Sequence, residues 1–366
     1  MAKPEFTTEI NGPMVIGFGV VMCAIAVLAF VFNSSILYVL SKRKKLRGTT
    51  GSNFIIFNSC IDLIFDVCIC IYSLILICSG FRLVRTQLCP AFTGLMFCCL
   101  LLNLLGVTFL GVARYLAIIK KKTLSQTTWA LILILPCSWV IGTTAFMFGT
   151  DHWAYTSSGV MCFPKPDKSN PYNLFFYISL TIWAFFELCT LTFCYSSIIF
   201  YNEKNVAKMK EYDSQLNSSG GSNASSSNNN NNPALILNQD HEEKASDAIT
   251  ITESIPTSES HELTPHNAEQ HHSNPQIKNL RLVSLKLMSI LVIYYLSYIP
   301  FVIYELVELT TGKYKSPLMD LVFDLSKTLC TFTCPLISIY LHKPLKLELI
   351  FFAKKVGLKS AKILFN

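Results

Sequence analysis

Seven polar or charged side chains lie in stretches of sequence that are otherwise almost wholly apolar: Asn33, Asp62, Asn103, Arg114, Glu187, Asp324 and Lys327. Burying such groups is costly unless each is bonded, paired or used, so their types bound the chemistry on offer. Asp62, Asn103 and Asn33 are oxygen-bearing groups of the kind that hold either a sodium ion or a set of bound waters. Asp324 and Lys327 have the spacing of an ion pair across one helical turn. Arg114, near the end of its run, can either extend its charge to the membrane surface or face a cavity between helices. Hydrolytic chemistry is excluded. All seven histidines, including His152 and His342, lie outside the apolar runs. Neither a zinc site with imidazole ligands nor a serine with a histidine base can be assembled within them.

The elements that must position these residues follow from the runs themselves. With 51% hydrophobic and 14% charged residues in 366, the chain has too little polar surface to coat a soluble globule. Pro13 to Leu40 is uncharged and exceeds the roughly 20 residues needed to cross a bilayer. It reads as a retained first span and not as a cleaved signal. Runs at Asn53–Cys78, Pro90–Ile119, Trp129–Phe148, Tyr172–Tyr201, Leu282–Val307 and Leu318–Leu341 complete seven. The expected fold class is therefore an all-α membrane protein, a seven-helix bundle. Leu345, Leu349, Phe352 and Val356 recur at helical spacing beside Lys346, Lys354 and Lys355, the pattern of a C-terminal amphipathic helix in the interface.

Lysine and arginine cluster at Lys42–Arg47, Lys120–Lys122 and Lys343–Lys362, which predicts that those sides are cytoplasmic and the N-terminus lies outside. The same placement assigns the net charge of +7 to the membrane surface and not to nucleic acid. Residues 202–276, rich in Ser and Asn and including Asn228–Asn232, are predicted to be a disordered cytoplasmic loop. The chain thus divides into 1–201 (helices one to five), 202–276, 277–341 (helices six and seven) and 342–366 (interfacial helix and tail). Most of the fourteen cysteines lie inside apolar runs, where a thiol acts as a small hydrophobe. No internal repeat is present, which weighs against inverted-repeat transporters. A seven-helix ion pump is a further alternative, but Asp62, Asp66, Glu187 and Asp324 do not line up as a carboxylate relay.

Across these spans the chain resembles the rhodopsin-like G-protein-coupled receptors. The likeness rests on Asn33, Asp62, Cys89, Ala113-Arg114-Tyr115, Trp139, Cys162, Tyr195, Ser297-Tyr298-Ile299-Pro300 and Cys334-Pro335. The departures are equally plain: Ala113 replaces the acid before the switch arginine, Tyr298 the toggle tryptophan, Glu187 the fifth-helix proline, and Cys334 the asparagine of Asn-Pro. The resemblance implies a plasma-membrane receptor that binds a small molecule, lipid or peptide and activates a heterotrimeric G protein. Kinases and arrestin-like proteins would be further partners, the former acting at Thr250, Thr252, Ser254, Thr257, Ser258 and Ser260.

It also implies roles. A Cys89–Cys162 bridge would pin the second outer loop to the third helix, the alternative being two free thiols. Ala113, Arg114, Tyr115, Tyr195, Tyr298, Pro300 and Pro335 would form the coupling and switch machinery, the prolines marking either hinges or static kinks. Asn33, Asp62 and Asn103 would form the polar core, with waters favoured over sodium because Cys334 supplies no oxygen. Met96, Glu187, Tyr298, Asp324 and Lys327 are the expected pocket. Met96 stands where amine receptors of the family carry an aspartate, which argues against a biogenic amine. No cofactor is expected. Retinal on Lys327 is the alternative of an opsin-type photoreceptor. However, Lys327 lies eight residues before Pro335, where opsins have seven, a ~100° rotation that would aim it away from the usual pocket. Phe92 also stands where visual opsins carry a counterion.

Overall fold

The computed structural model describes residues 12–42, 50–79, 88–149, 153–156, 158–164, 167, 169–219, 275–312, 316–341 and 343–355. Its long helices are α1 (Gly12–Lys42), α2 (Thr50–Ser79), α3 (Leu88–Ile118), α4 (Gln126–Gly149), α5 (Pro171–Ser219), α6 (Pro275–Thr311) and α7 (Pro317–Leu341). A hairpin of β1 (Trp153–Tyr155) and β2 (Cys162–Pro164) joins α4 to α5, and a short helix, α8 (Lys343–Lys355), follows α7. The bundle with its C-terminal helix is the expected fold class.

The helices begin and end where local chemistry dictates. Ser125 caps α4 by accepting a bond from Thr128 N at 3.1 Å, and Asn170 caps α5 just ahead of Pro171, accepting from Tyr172 N at 3.0 Å. Ser316 does the same for α7 before Pro317, at 3.3 Å from Met319 N. Gly312 ends α6 with a positive φ of 68° that side chains rarely adopt, its N–H donating back to Glu308 O at 2.8 Å.

Six of the helices are long and apolar enough to cross a membrane. The remaining one, α7, has 25 residues, or ~37 Å at 1.5 Å per residue, and carries Asp320, Asp324 and Lys327 in its first half. The bundle is arranged around α3, whose most apolar stretch is 72% buried, against 17% for α4 at the periphery. The centre of α3 approaches α2 so closely that a Cβ on Gly106 would collide with the Asn58 side chain. Large apolar side chains such as Leu135, Phe185 and Phe200 point outward, as a hydrocarbon solvent permits. α8 packs against α1 and α7, burying Leu345 and Leu349 with Ile36, Val39 and Ile339.

Two boundaries differ from expectation. α5 does not stop at Tyr201: it continues as helix to Ser219, so the first part of the expected loop is ordered. Val206 there is buried and Asn202 Nδ2 donates to Ser284 Oγ of α6 at 3.5 Å; packing against α6 supports a polar helix that composition alone leaves undecided. Correspondingly, α6 begins at Pro275 and not at Leu282. The rest of the loop, with its candidate phosphorylation sites, lies outside the described residues.

Candidate functional site

At one end of the bundle the hairpin forms a roof. Gly159, with φ 67°, turns the chain so that β1 and β2 pair antiparallel, Tyr155 opposite Cys162. Four other elements hold this roof. Cys162 is disulfide-bonded to Cys89 of α3, with the Cα atoms 5.8 Å apart. Tyr72 of α2 donates its hydroxyl to Val160 O, and Tyr177 of α5 donates to Pro164 O at 2.6 Å. From α7, Asp320 Oδ2 accepts bonds from Ser158 N at 3.1 Å and Ser158 Oγ at 2.5 Å.

Beneath the roof lies a cavity of about 520 Å³, its open mouth included. Its walls come from α2, α3, α6, α7 and the hairpin. They are mainly apolar, with Met96, Phe97, Phe163 and Phe301 among them, but Thr93, Glu305, Asp320, Asp324 and Lys327 also face it. Lys327 Nζ donates to Asp324 Oδ1 at 3.0 Å and sits 3.9 Å from the centre of the Phe301 ring. The rotation argued from its spacing to Pro335 therefore does not carry Lys327 out of the cavity. Asp320, Asp324 and Lys327 follow one face of α7 at intervals of four and three residues.

Two residues expected in this pocket lie elsewhere. Tyr298 is buried deeper, its ring stacked on Tyr294 with centroids 5.7 Å apart. Glu187 is buried on α5, one turn from Trp183. Neither of its carboxylate oxygens meets a hydrogen-bond donor among the described residues. In both cases helical phase decides: depth in the membrane was legible, but which interhelical gap a side chain enters was not.

Below the cavity is a polar core in two parts. Asn103 Nδ2 donates to Asp62 Oδ1, and Tyr294 OH donates to Asn103 Oδ1 at 3.4 Å. Asn33 does not join this pair. Its Nδ2 donates to Asp66 Oδ2 at 3.3 Å, and Thr331 donates to Asp66 Oδ1 at 3.4 Å. Asp66 lies one turn along α2 from Asp62, so both carboxylates fall on the same face, a spacing visible in the sequence. Asn33 Oδ1 accepts no bond among the described residues. Pro300 and Pro335 lie inside α6 and α7, which run through them without interruption.

At the opposite end of α3, Arg114 is half-buried beside Tyr195 of α5. Its Nη1 is buried without a hydrogen-bond partner among the described residues. Ala113 packs near Phe54, Leu110 and Trp129, and Tyr115 meets Phe193 with ring centroids 5.4 Å apart. Lys204, Lys208 and Arg281 are exposed around this end. Sequence reasoning did not single out Thr93, Glu305, Asp320 or Ser158 for the cavity. Asp320 was recoverable from the spacing Asp320, Asp324, Lys327; Ser158 was not, because its partner lies 162 positions away.

The chain is similar to the crystal structure of squid rhodopsin with a TM-score of 0.69 and 14% identity, over 99% of this chain and 91% of that one; at that identity the likeness concerns the fold. The family described as seven-transmembrane receptors of the rhodopsin family matches residues 17–337. With a match over most of its length, this chain belongs to the rhodopsin family of seven-transmembrane receptors.

Proposed function

We propose that the protein is a plasma-membrane receptor that binds a ligand in the cavity under the hairpin and activates a heterotrimeric G protein at the Arg114 end. One observation carries the reading: a single helix serves both places. α3 lines the cavity with Thr93, Met96, Phe97 and Leu100 and presents Arg114 about 21 Å further along its axis, at 1.5 Å per residue. A ligand that shifts α3 against its neighbours can thereby alter the face that Arg114 shares with Tyr195. The polar core of Asp62, Asp66 and Asn103 lies between.

The cationic rim of Lys204, Lys208 and Arg281 supports placing the Arg114 end in the cytoplasm, by the excess of Lys and Arg on that side, and also suits an acidic protein surface. The disulfide at the other end supports an outward-facing hairpin. Kinases and arrestin-like proteins would meet the same cytoplasmic face. The Asp324–Lys327 pair is placed to contact a polar group of the ligand. The test is Arg114→Ala in cells carrying G-protein activation sensors. Coupling should be lost while surface expression is kept; signalling equal to wild type would reject the role.

A second reading is favoured by Lys327 itself, whose amine faces the cavity with a carboxylate 3.0 Å away, the arrangement an opsin-type photoreceptor needs for a retinal Schiff base. Purification with added retinal decides between the two. The receptor reading expects no visible absorption band, and a band lost in Lys327→Ala would establish the photoreceptor.

A further inference from the structure

We infer that Thr93 is the polar anchor of the cavity's α3 wall, and that the ligand is amphipathic: an apolar body with a hydrogen-bonding group, such as a hydroxyl, at the end nearest the hairpin. The inference rests on the receptor reading for the use of the cavity, and deepens it by naming a ligand class and the residue that selects it.

Three threonines line the cavity: Thr93, Thr156 and Thr328. Two are already engaged. Thr156 Oγ1 donates to Met161 O at 3.2 Å within the hairpin, and Thr328 Oγ1 donates to Asp324 O at 3.0 Å one turn back on α7. The hydroxyl of Thr93 has no hydrogen-bond partner among the described residues, although Thr93 is only 5% exposed. A threonine within a helix commonly donates to the carbonyl four residues back. Thr108 does so to Leu104 O at 2.9 Å and Thr144 to Val140 O at 2.8 Å, but Thr93 makes no such bond to Cys89 O. A buried hydroxyl left unmet beside a cavity is satisfied by a group that enters the cavity.

The position of that hydroxyl sets the ligand's shape. Thr93 is one turn below Cys89, whose bond to Cys162 joins α3 to the roof, so it stands at the hairpin end of the α3 wall. Deeper along the same face follow Met96, Phe97 and Leu100, with Phe65 and Ile69 of α2 lining the cavity beside them. From Thr93 to Leu100 is ~10 Å at 1.5 Å per residue, and below Thr93 these side chains carry no oxygen or nitrogen. An apolar body gains by burial against this wall, whereas a polar group placed there loses its hydration without a partner. One polar contact above an apolar wall makes that contact selective: a site that bonds a hydroxyl discriminates against the analogue that lacks it.

The experiment uses the full-length protein in nanodiscs with 4-butylphenol and butylbenzene, two probes that differ by one hydroxyl. Binding is read from the shift in Tm with probe concentration. Each probe is compared between wild type, Thr93→Val and Thr93→Ser, so that its partition into lipid cancels. Thr93→Val should weaken the phenol about fivefold and leave the hydrocarbon unchanged, and Thr93→Ser should keep the wild-type affinity for both. Without probe, Thr93→Val should melt no lower than wild type, because it removes an unmet hydroxyl at nearly constant shape. A lower Tm, or failure to fold, would place the hydroxyl in a structural bond and overturn the inference. An absent phenol shift in the wild type, phenol binding that Thr93→Val leaves intact, or equal weakening of both probes would overturn it as well. The receptor reading fails separately, on the Arg114→Ala coupling measurement, which does not involve Thr93: coupling retained there alongside hydroxyl-dependent binding here would overturn that reading alone.

Discussion

The two ends of the bundle are built differently. At the hairpin end, charged groups are tied down: Asp320 holds Ser158, Asp324 holds Lys327, and a disulfide joins the roof to α3. At the Arg114 end, a cation stands half-buried beside a tyrosine, with Ala113 where an acid would fix it and Nη1 unmet among the described residues. Fixed contacts preserve a pocket's shape, whereas an unsatisfied buried donor favours any partner that supplies an acceptor. On the proposed function, the difference suits recognition at the tied-down end and coupling at the other.

The sharpest way to break the contrast is to free the roof. Cys89→Ser or Cys162→Ser should each sharply reduce surface expression, since loss of a native disulfide typically costs about 2–5 kcal/mol. The double substitution should be no worse than either single one, because both remove the same bond. Additive losses, measured by flow cytometry on intact cells, would show that the two cysteines act separately.

A smaller effect tests the other latch. Asp320→Asn keeps the shape but weakens two bonds to Ser158, and bonds to a charged group contribute about 1.5–3 kcal/mol. Proteolysis within residues 153–164 should become faster while the Tm of the bundle falls only slightly. Unchanged cleavage would mean that the disulfide alone fixes the roof.

What the sequence revealed, and what it hid, follows the same division. The seven spans were legible because crossing a bilayer demands long uninterrupted apolar runs, and α8 because Leu345 and Leu349 keep helical spacing. The continuation of α5 to Ser219 was not, because Glu203, Lys204 and Asn205 are polar whether they end a helix or extend it; burial of Val206 and the bond from Asn202 to Ser284 of α6 decide. In the site, Asp324 and Lys327 declared themselves by spacing on one helix. Asn33 with Asp66, and Ser158 with Asp320, are partnerships across the bundle that depend on how helices are rotated against one another, which no local pattern encodes. Glu187 and Tyr298 were misplaced for the same reason.

Hydrogen exchange measures most directly whether α3 couples the two ends. Wild-type protein and Arg114→Ala are compared in nanodiscs with and without a nucleotide-free heterotrimeric G protein. By reciprocity, a G protein that responds to the cavity must also alter it. The heterotrimer should slow amide exchange in residues 153–164 of the wild type and leave Arg114→Ala unchanged. Exchange at the hairpin that is indifferent to the heterotrimer, while the Arg114 end becomes protected, would contradict it.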